Sequence, residues 1–107
     1  MSRASVVGVG MTEFGVHDRP LQELFGEATF GALDDAGIKP PAVESFYFGN
    51  AMGGQTENAT HLAPSMAAHV GMSGIPAQRY EDACATSANA FKNAVQAIES
   101  GHHDVVL

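Results

Sequence analysis

The sequence holds a single cysteine, Cys84, in the string Glu81-Asp82-Ala83-Cys84-Ala85-Thr86-Ser87-Ala88. An extended segment arrives at this string and a helical pattern leaves it, so Cys84 falls at or just before a first helical turn. Free backbone N–H groups and the positive end of the helix dipole favour a thiolate there. The same N–H groups can hold the oxyanion of a tetrahedral intermediate. A thiolate so placed suits thioester exchange, and Ala83, Ala85 and Ala88 leave room for an acyl group. Taken alone, the residue is also compatible with a buried structural cysteine, a common fate of a free thiol. No base can be paired with it from spacing.

The other chemistry-bearing residues give weaker patterns. The histidines are His17, His61, His69, His102 and His103. His61 and His69 are eight apart, outside any H-E-x-x-H spacing, so no metal site is expected. His102 and His103 follow a helix of about 15 residues, which puts them about 22 Å from Cys84 and argues against a role as its base. Gly8-Val9-Gly10 is followed by Glu13 where a dinucleotide fingerprint needs its third glycine, and no helix opens there. Gly53-Gly54 has no Lys-Ser or Lys-Thr behind it, so it reads as a flexible loop and not a phosphate cradle.

The elements that must position Cys84 follow from periodicity and punctuation. Ala4 to Gly10 reads as a buried strand. Leu21, Leu24, Phe25, Ala28, Ala32, Leu33 and Ala36 form one helical stripe, with Pro20 at its start, Gly37 as C-cap and Pro40-Pro41 forbidding continuation. Ser45 to Asn50 reads as a second strand, Ala51 to Thr60 as a loop, Leu62 to Val70 as a short helix and Ala77 to Asp82 as a third strand. Thr86 to Ser100 is again helical, with Ala88, Phe91, Val95 and Ile98 on one face and Gly101 as the stop. Asp104 to Leu107 begins a fourth strand. All six phenylalanines are assigned to the core. The order β-α-β-α-β-α-β favours an α/β fold with a largely parallel sheet.

Composition narrows the function classes. The 107 residues suffice for one small domain, 1–107, and 45% of them are hydrophobic, enough for a packed core. Five Lys and Arg against twelve Asp and Glu, net −7, leave no basic footprint for nucleic acid. One cysteine excludes an internal disulfide. The start, Met1-Ser2-Arg3-Ala4-Ser5, leads into an apolar run too short and too glycine-interrupted for a signal peptide. No run approaches the roughly 20 apolar residues of a membrane helix. A cytoplasmic protein is expected, and the apolar run at Leu107 reads as a C-terminal truncation.

Three stretches carry a resemblance. They are Val7-Gly8-Val9-Gly10-Met11-Thr12-Glu13-Phe14-Gly15, then Ala32-Leu33-Asp34-Asp35-Ala36-Gly37-Ile38 with Phe46-Tyr47-Phe48-Gly49-Asn50, then Asp82 to Ala88 with the helix to Gly101 and Asp104-Val105-Val106-Leu107. In this order they resemble the opening half of the N-terminal domain of thiolases, the acetyl-CoA acetyltransferases and 3-ketoacyl-CoA thiolases, especially the archaeal and sterol-carrier-type branch. The resemblance implies a thiolase-like fold, with Cys84 as the catalytic nucleophile that takes an acyl group from a CoA thioester. The group then passes to CoA or to an acetyl-CoA carbanion, and the Cys84 N–H is one oxyanion donor.

The resemblance further implies that coenzyme A is a substrate and that no metal or redox cofactor is needed. Its implied partners are a second copy or a tetramer, with a hydroxymethylglutaryl-CoA synthase complex as a further option, and Asn50 to His61 approaches the dimer interface. Thiolases commonly carry a glycine where this chain has Ala88. Their histidine bases and most of their CoA surface lie in the second half, so these 107 residues alone are expected not to turn over. Two alternatives stand beside this reading. A β-ketoacyl synthase fragment shares the fold and a similar Ala-Cys-Ala-Thr-Ser string, and a catalytically dead truncated product would act only in dimerisation or partner binding.

Overall fold

A computed structural model describes residues 3–107. Met1 and Ser2, part of the start read above as no signal peptide, lie outside the described residues. The first helix, α1 (Leu21–Ala36), follows Pro20 and ends at Gly37, whose φ of 69° is left-handed. There the Gly37 N–H donates to Asp34 O and the Ile38 N–H to Leu33 O, which satisfies carbonyls that the helix end would otherwise leave open. A 3-10 turn over Pro40–Ala42 leads to β1 (Phe46–Gly49). Next come a one-turn helix α2 (Gly53–Thr56), α3 (Leu62–His69) and β2 (Ala77–Tyr80). A second 3-10 turn, Ala83–Ala85, runs straight into α4 (Thr86–Glu99).

β1 and β2 pair in parallel, with Phe46 opposite Ala77 and Gly49 opposite Tyr80. Alternation along β1 sends Phe46 and Phe48 to one face and Tyr47 and Gly49 to the other. On the first face Phe46 and Phe48 stack at 5.9 Å between ring centres. Phe25 of α1 meets both edge-on, at 5.2 and 5.4 Å. Leu62, Ala63, Met66 and Ala67 of α3 complete this core with Leu33, Val43, Val70 and Met72. α4 packs on the opposite face, where the first turn of the helix lies over Gly49. Helices on both faces of a parallel pair make the layered α/β arrangement expected from the alternating pattern.

Three expectations need correction. The stretch from Ala4 to Gly10 is not a buried strand: it has no strand partner among the described residues, and Val6, Val7 and Val9 are exposed. Its anchor is α1. A Cβ on Gly10 would stand 2.0 Å from Ala28 O, and one on Gly8 2.4 Å from Ala32 O. The Val9 N–H also donates to Asp35 Oδ2 at 3.0 Å. Glycine therefore permits a backbone-on-helix contact here, whereas strand pairing needs a neighbour that local sequence does not specify. Gly10→Ala is expected to lift this segment off α1, read as faster amide exchange at Val9; unchanged exchange would count against the contact.

Second, α4 buries the small residues Thr86 and Ala90 near its start, where Ala88 and Phe91 of the expected face are exposed, while Val95 and Ile98 of that face are half-buried along with Ala94 and Ala97. Small side chains let the helix backbone approach the sheet closely, which the bulkier face around Phe91 would prevent. Third, Phe14, Phe30 and Phe91 are exposed, so only half of the phenylalanines serve the core.

Residues 104–107 run beside β1 through a short parallel pairing centred on Ser45 and Val106. The Glu44 N–H donates to Val105 O, the Tyr47 N–H to Leu107 O and the Leu107 N–H to Ser45 O. Glu44 secures the start of this pairing: its Oε1 accepts the Asp104 N–H at 2.9 Å and the Val105 N–H at 3.0 Å. Those two bonds, Asp104 first, hold the Glu44 carboxyl below its ordinary value of 4.5, with help from His103 and against a smaller effect of burial. A depressed carboxylate contributes stability above its unfolded value and loses it as pH falls through the lower folded value. Amide protection at Asp104 and Val105 is therefore expected to hold above pH 4.5 and to fade below it. Glu44→Ala should remove that pH dependence; a parental profile in this variant would refute the carboxylate clamp.

Candidate active site

Because β1 and β2 are parallel, their C-terminal ends lie on one edge of the sheet, the edge at which α/β folds build their sites. β1 delivers Asn50 there and β2 delivers Glu81 to Cys84. The chain leaves β2, passes Asp82 at φ −159° and ψ 48°, and reverses at Ala83, whose φ is 47°. An alanine in the left-handed region is uncommon, because its Cβ crowds the backbone. The consequence is a tight elbow with Cys84 exposed at its tip and α4 beginning two residues later. The expectation of a strand-to-helix turn is met, and the Cys84 thiol is exposed within this chain.

Two side chains hold the elbow through three bonds. Glu81 Oε2 accepts the Ala83 N–H at 2.7 Å. Thr86 Oγ1 accepts the Asp82 N–H at 2.8 Å and donates to Ala83 O at 2.7 Å. Below the elbow, a Cβ on Gly49 would stand 3.1 Å from Thr86 Cγ2 and 3.3 Å from Ser87 Cα, so glycine at this position lets α4 settle on the end of β1. Beside it, Arg79 straps the loop after β1 to β2, with Nε donating to Asn50 O at 2.9 Å and Nη2 to Ala51 O at 3.2 Å. Asn50 Oδ1 in turn accepts the Gly53 N–H. An open groove of about 550 Å³ runs along this loop, lined by Ala51, Met52, Gln55, Arg79 and Glu81 among others.

The histidines lie elsewhere. His102 and His103 meet edge-on at 4.5 Å beyond the C-terminal end of α4, and His103 Nδ1 is 3.7 Å from Glu44 Oε2. The 14 residues of α4 put about 21 Å between them and the elbow. His17 Nε2 is 2.7 Å from Glu13 O in the exposed N-terminal segment. His61 precedes α3 at φ 57°, and His69 packs beside Gly26 of α1. Among the described residues no group of three His, Cys, Asp or Glu side chains is placed to hold a metal ion. Sequence reading found Cys84 but missed Thr86, Gly49 and Arg79. A threonine at the start of a helix was the available signal for the first.

This elbow and the elements around it fall within the stretch matched by a known family: the profile of the thiolase N-terminal domain covers residues 4–107. The chain belongs to the thiolase family. It is 34% identical over 108 residues to an acetyl-CoA acetyltransferase of Methanothermobacter thermautotrophicus, covering 100% of this chain and 28% of that protein. The acetyl-CoA acetyltransferase of Methanocaldococcus jannaschii is 36% identical, with 100% and 28% covered. Sterol carrier protein 2 of Bos taurus is 38% identical, with 99% of this chain and 19% of that protein covered. The chain thus spans less than a third of the length of these relatives. Family membership confirms the α/β thiolase-like fold, and no described helix is long and apolar enough to cross a membrane.

Proposed function

We propose that this chain carries the nucleophile segment of a thiolase-type acyltransferase and that Cys84 is the acyl acceptor. One observation carries the reading: a left-handed Ala83 at the end of β2 sets an exposed Cys84 immediately ahead of α4. Backbone held in a sparsely populated region is a recurrent feature of reactive positions, where the surrounding bonds maintain it. Similarity to acetyl-CoA acetyltransferases supports the substrate class, a CoA thioester.

In this reading the Cys84 thiolate attacks the thioester carbonyl carbon. A new C–S bond forms to the enzyme, the bond to CoA sulfur breaks, and CoA leaves as a thiolate that takes up a proton. The acetyl group then moves to the carbanion of a second acetyl-CoA. In the reverse direction the thiolate attacks the C3 carbonyl of a 3-ketoacyl-CoA, the C2–C3 bond breaks, acetyl-CoA leaves as a carbanion that takes up a proton, and the acyl group passes to CoA. Covalent catalysis of this kind divides one difficult transfer into two easier ones. Coenzyme A acts as substrate, without a metal or redox cofactor. The whole protein works as a dimer or tetramer in the cytoplasm, with association to a hydroxymethylglutaryl-CoA synthase as a further option. The stretch 1–107 forms the first part of the N-terminal domain.

Incubation with acetyl-CoA tests the reading. The chain is expected to gain one acetyl group by intact mass, localised to Cys84 and removed by hydroxylamine as a thioester would be. A thiol that reacts with iodoacetamide yet never takes the acetyl group would favour a catalytically dead product instead.

A further inference from the structure

The geometry points to Thr86 as the positioning residue of the elbow: its hydroxyl holds Ala83 left-handed and so aims Cys84. This inference rests on the acyl-acceptor reading for its functional consequence, and on geometry alone for its structural one. Thr86 is buried, with 6% of its surface exposed, although it borders an exposed turn. Its side chain has two faces. The methyl lies against Gly49 at the end of β1, and the hydroxyl spans the elbow. That hydroxyl donates to Ala83 O and accepts the Asp82 N–H, so it ties the peptide unit after the left-handed residue to the one before Asp82 and closes the elbow across both residues.

The elbow has a reason to need this grip. An alanine pays a steric penalty at φ 47°, and without compensation it would return to a commoner conformation and swing Cys84 away from the start of α4. The Glu81 carboxylate adds one bond, to the Ala83 N–H, but from an exposed side chain. Thr86 joins the elbow to the end of β1 through a buried side chain. Glycine at 83 would adopt the same backbone without strain, so the dependence on the hydroxyl should vanish with it.

Variants of the 107-residue chain separate aim from mere packing. Thr86→Val keeps the shape and removes both bonds; Thr86→Ser keeps both bonds and removes the methyl. In Thr86→Val, acetyl transfer from acetyl-CoA to Cys84 and amide protection at Asp82 are each expected to fall about tenfold, while alkylation by iodoacetamide at a pH well above the ordinary thiol value of about 8.5, where the thiolate forms wherever Cys84 sits, stays within about twofold. Thr86→Ser should retain transfer and protection, and adding Ala83→Gly to Thr86→Val should restore most of the transfer. The proposal is overturned if Thr86→Val transfers at the parental rate, or if Thr86→Ser falls as far as Thr86→Val. Should the parent chain take no acetyl group, the acyl-acceptor reading fails by itself. Asp82 exchange then decides the role of Thr86, with fast exchange in Thr86→Val and slow exchange in Thr86→Ser sustaining it and equal rates ending it.

Discussion

A Cys84→Ala chain is expected to take no acyl group under conditions that acylate the parent, and Cys84→Ser to do so at least about a thousandfold more slowly. A hydroxyl without an adjacent base is a far weaker nucleophile than a thiolate, so the sulfur cannot be replaced by its nearest analogue. The comparison is clean because Cys84 is the sole cysteine and is exposed at the elbow tip. Exposed substitutions away from special features usually change stability by less than about 0.5 kcal/mol, so both variants should melt with the parent. Loss of acylation with an unchanged melting curve would locate the effect in the chemistry. Acylation that survives in Cys84→Ala, on a lysine or a histidine, would remove the residue from its proposed role.

The sequence showed where Cys84 would sit more clearly than how it is held there. The helix after it was legible because it is closed by Gly101, whose φ is 77°, and β1 because of its aromatic run Phe46-Tyr47-Phe48, whereas β2, Ala77-Gln78-Arg79-Tyr80, is largely polar and carries a weaker mark. α1 was legible for the same reason, with spacing of three and four and a left-handed Gly37. The left-handed Ala83 carries no such mark. Glycine or asparagine announces a positive φ, while alanine gives no such signal.

Its support comes from Thr86, Glu81 and the β1 end at Gly49, and the last of these is 34 residues away in sequence by subtraction from 83. The inner face of α4 failed for a related reason. Hydrophobicity selected the side with Ala88 and Phe91, whereas at the start of the helix the sheet selected Thr86 and Ala90 because close approach requires small side chains. Likewise, valines at 6, 7 and 9 announce a strand, but a strand exists only with a neighbour.

The elbow depends on a sheet that rests on few large side chains, and Phe46 is the one whose loss should be felt most. It is 1% exposed and lies between Phe48, stacked at 5.9 Å, and Phe25, edge-on at 5.2 Å. Phe46→Ala is expected to cost about 3–5 kcal/mol, the range for deleting a buried aromatic ring, because neighbours collapse only partly into the space. A domain of this size has a total of about 5–15 kcal/mol, so the variant should be largely unfolded at modest urea. Phe46→Leu keeps most of the volume and should lose far less, but it forfeits both ring contacts, worth about 0.5–1.5 kcal/mol each. Urea titration followed by circular dichroism reads both differences. A Phe46→Ala midpoint within about 1 kcal/mol of the parent would mean that α1 and α3 close over the gap, against the close packing of interiors. Since β1 holds β2 in register and β2 ends at the elbow, acetyl transfer to Cys84 should fall in step with the folded fraction as urea rises. Transfer lost well before unfolding would show instead that the elbow opens locally, ahead of the core beneath it.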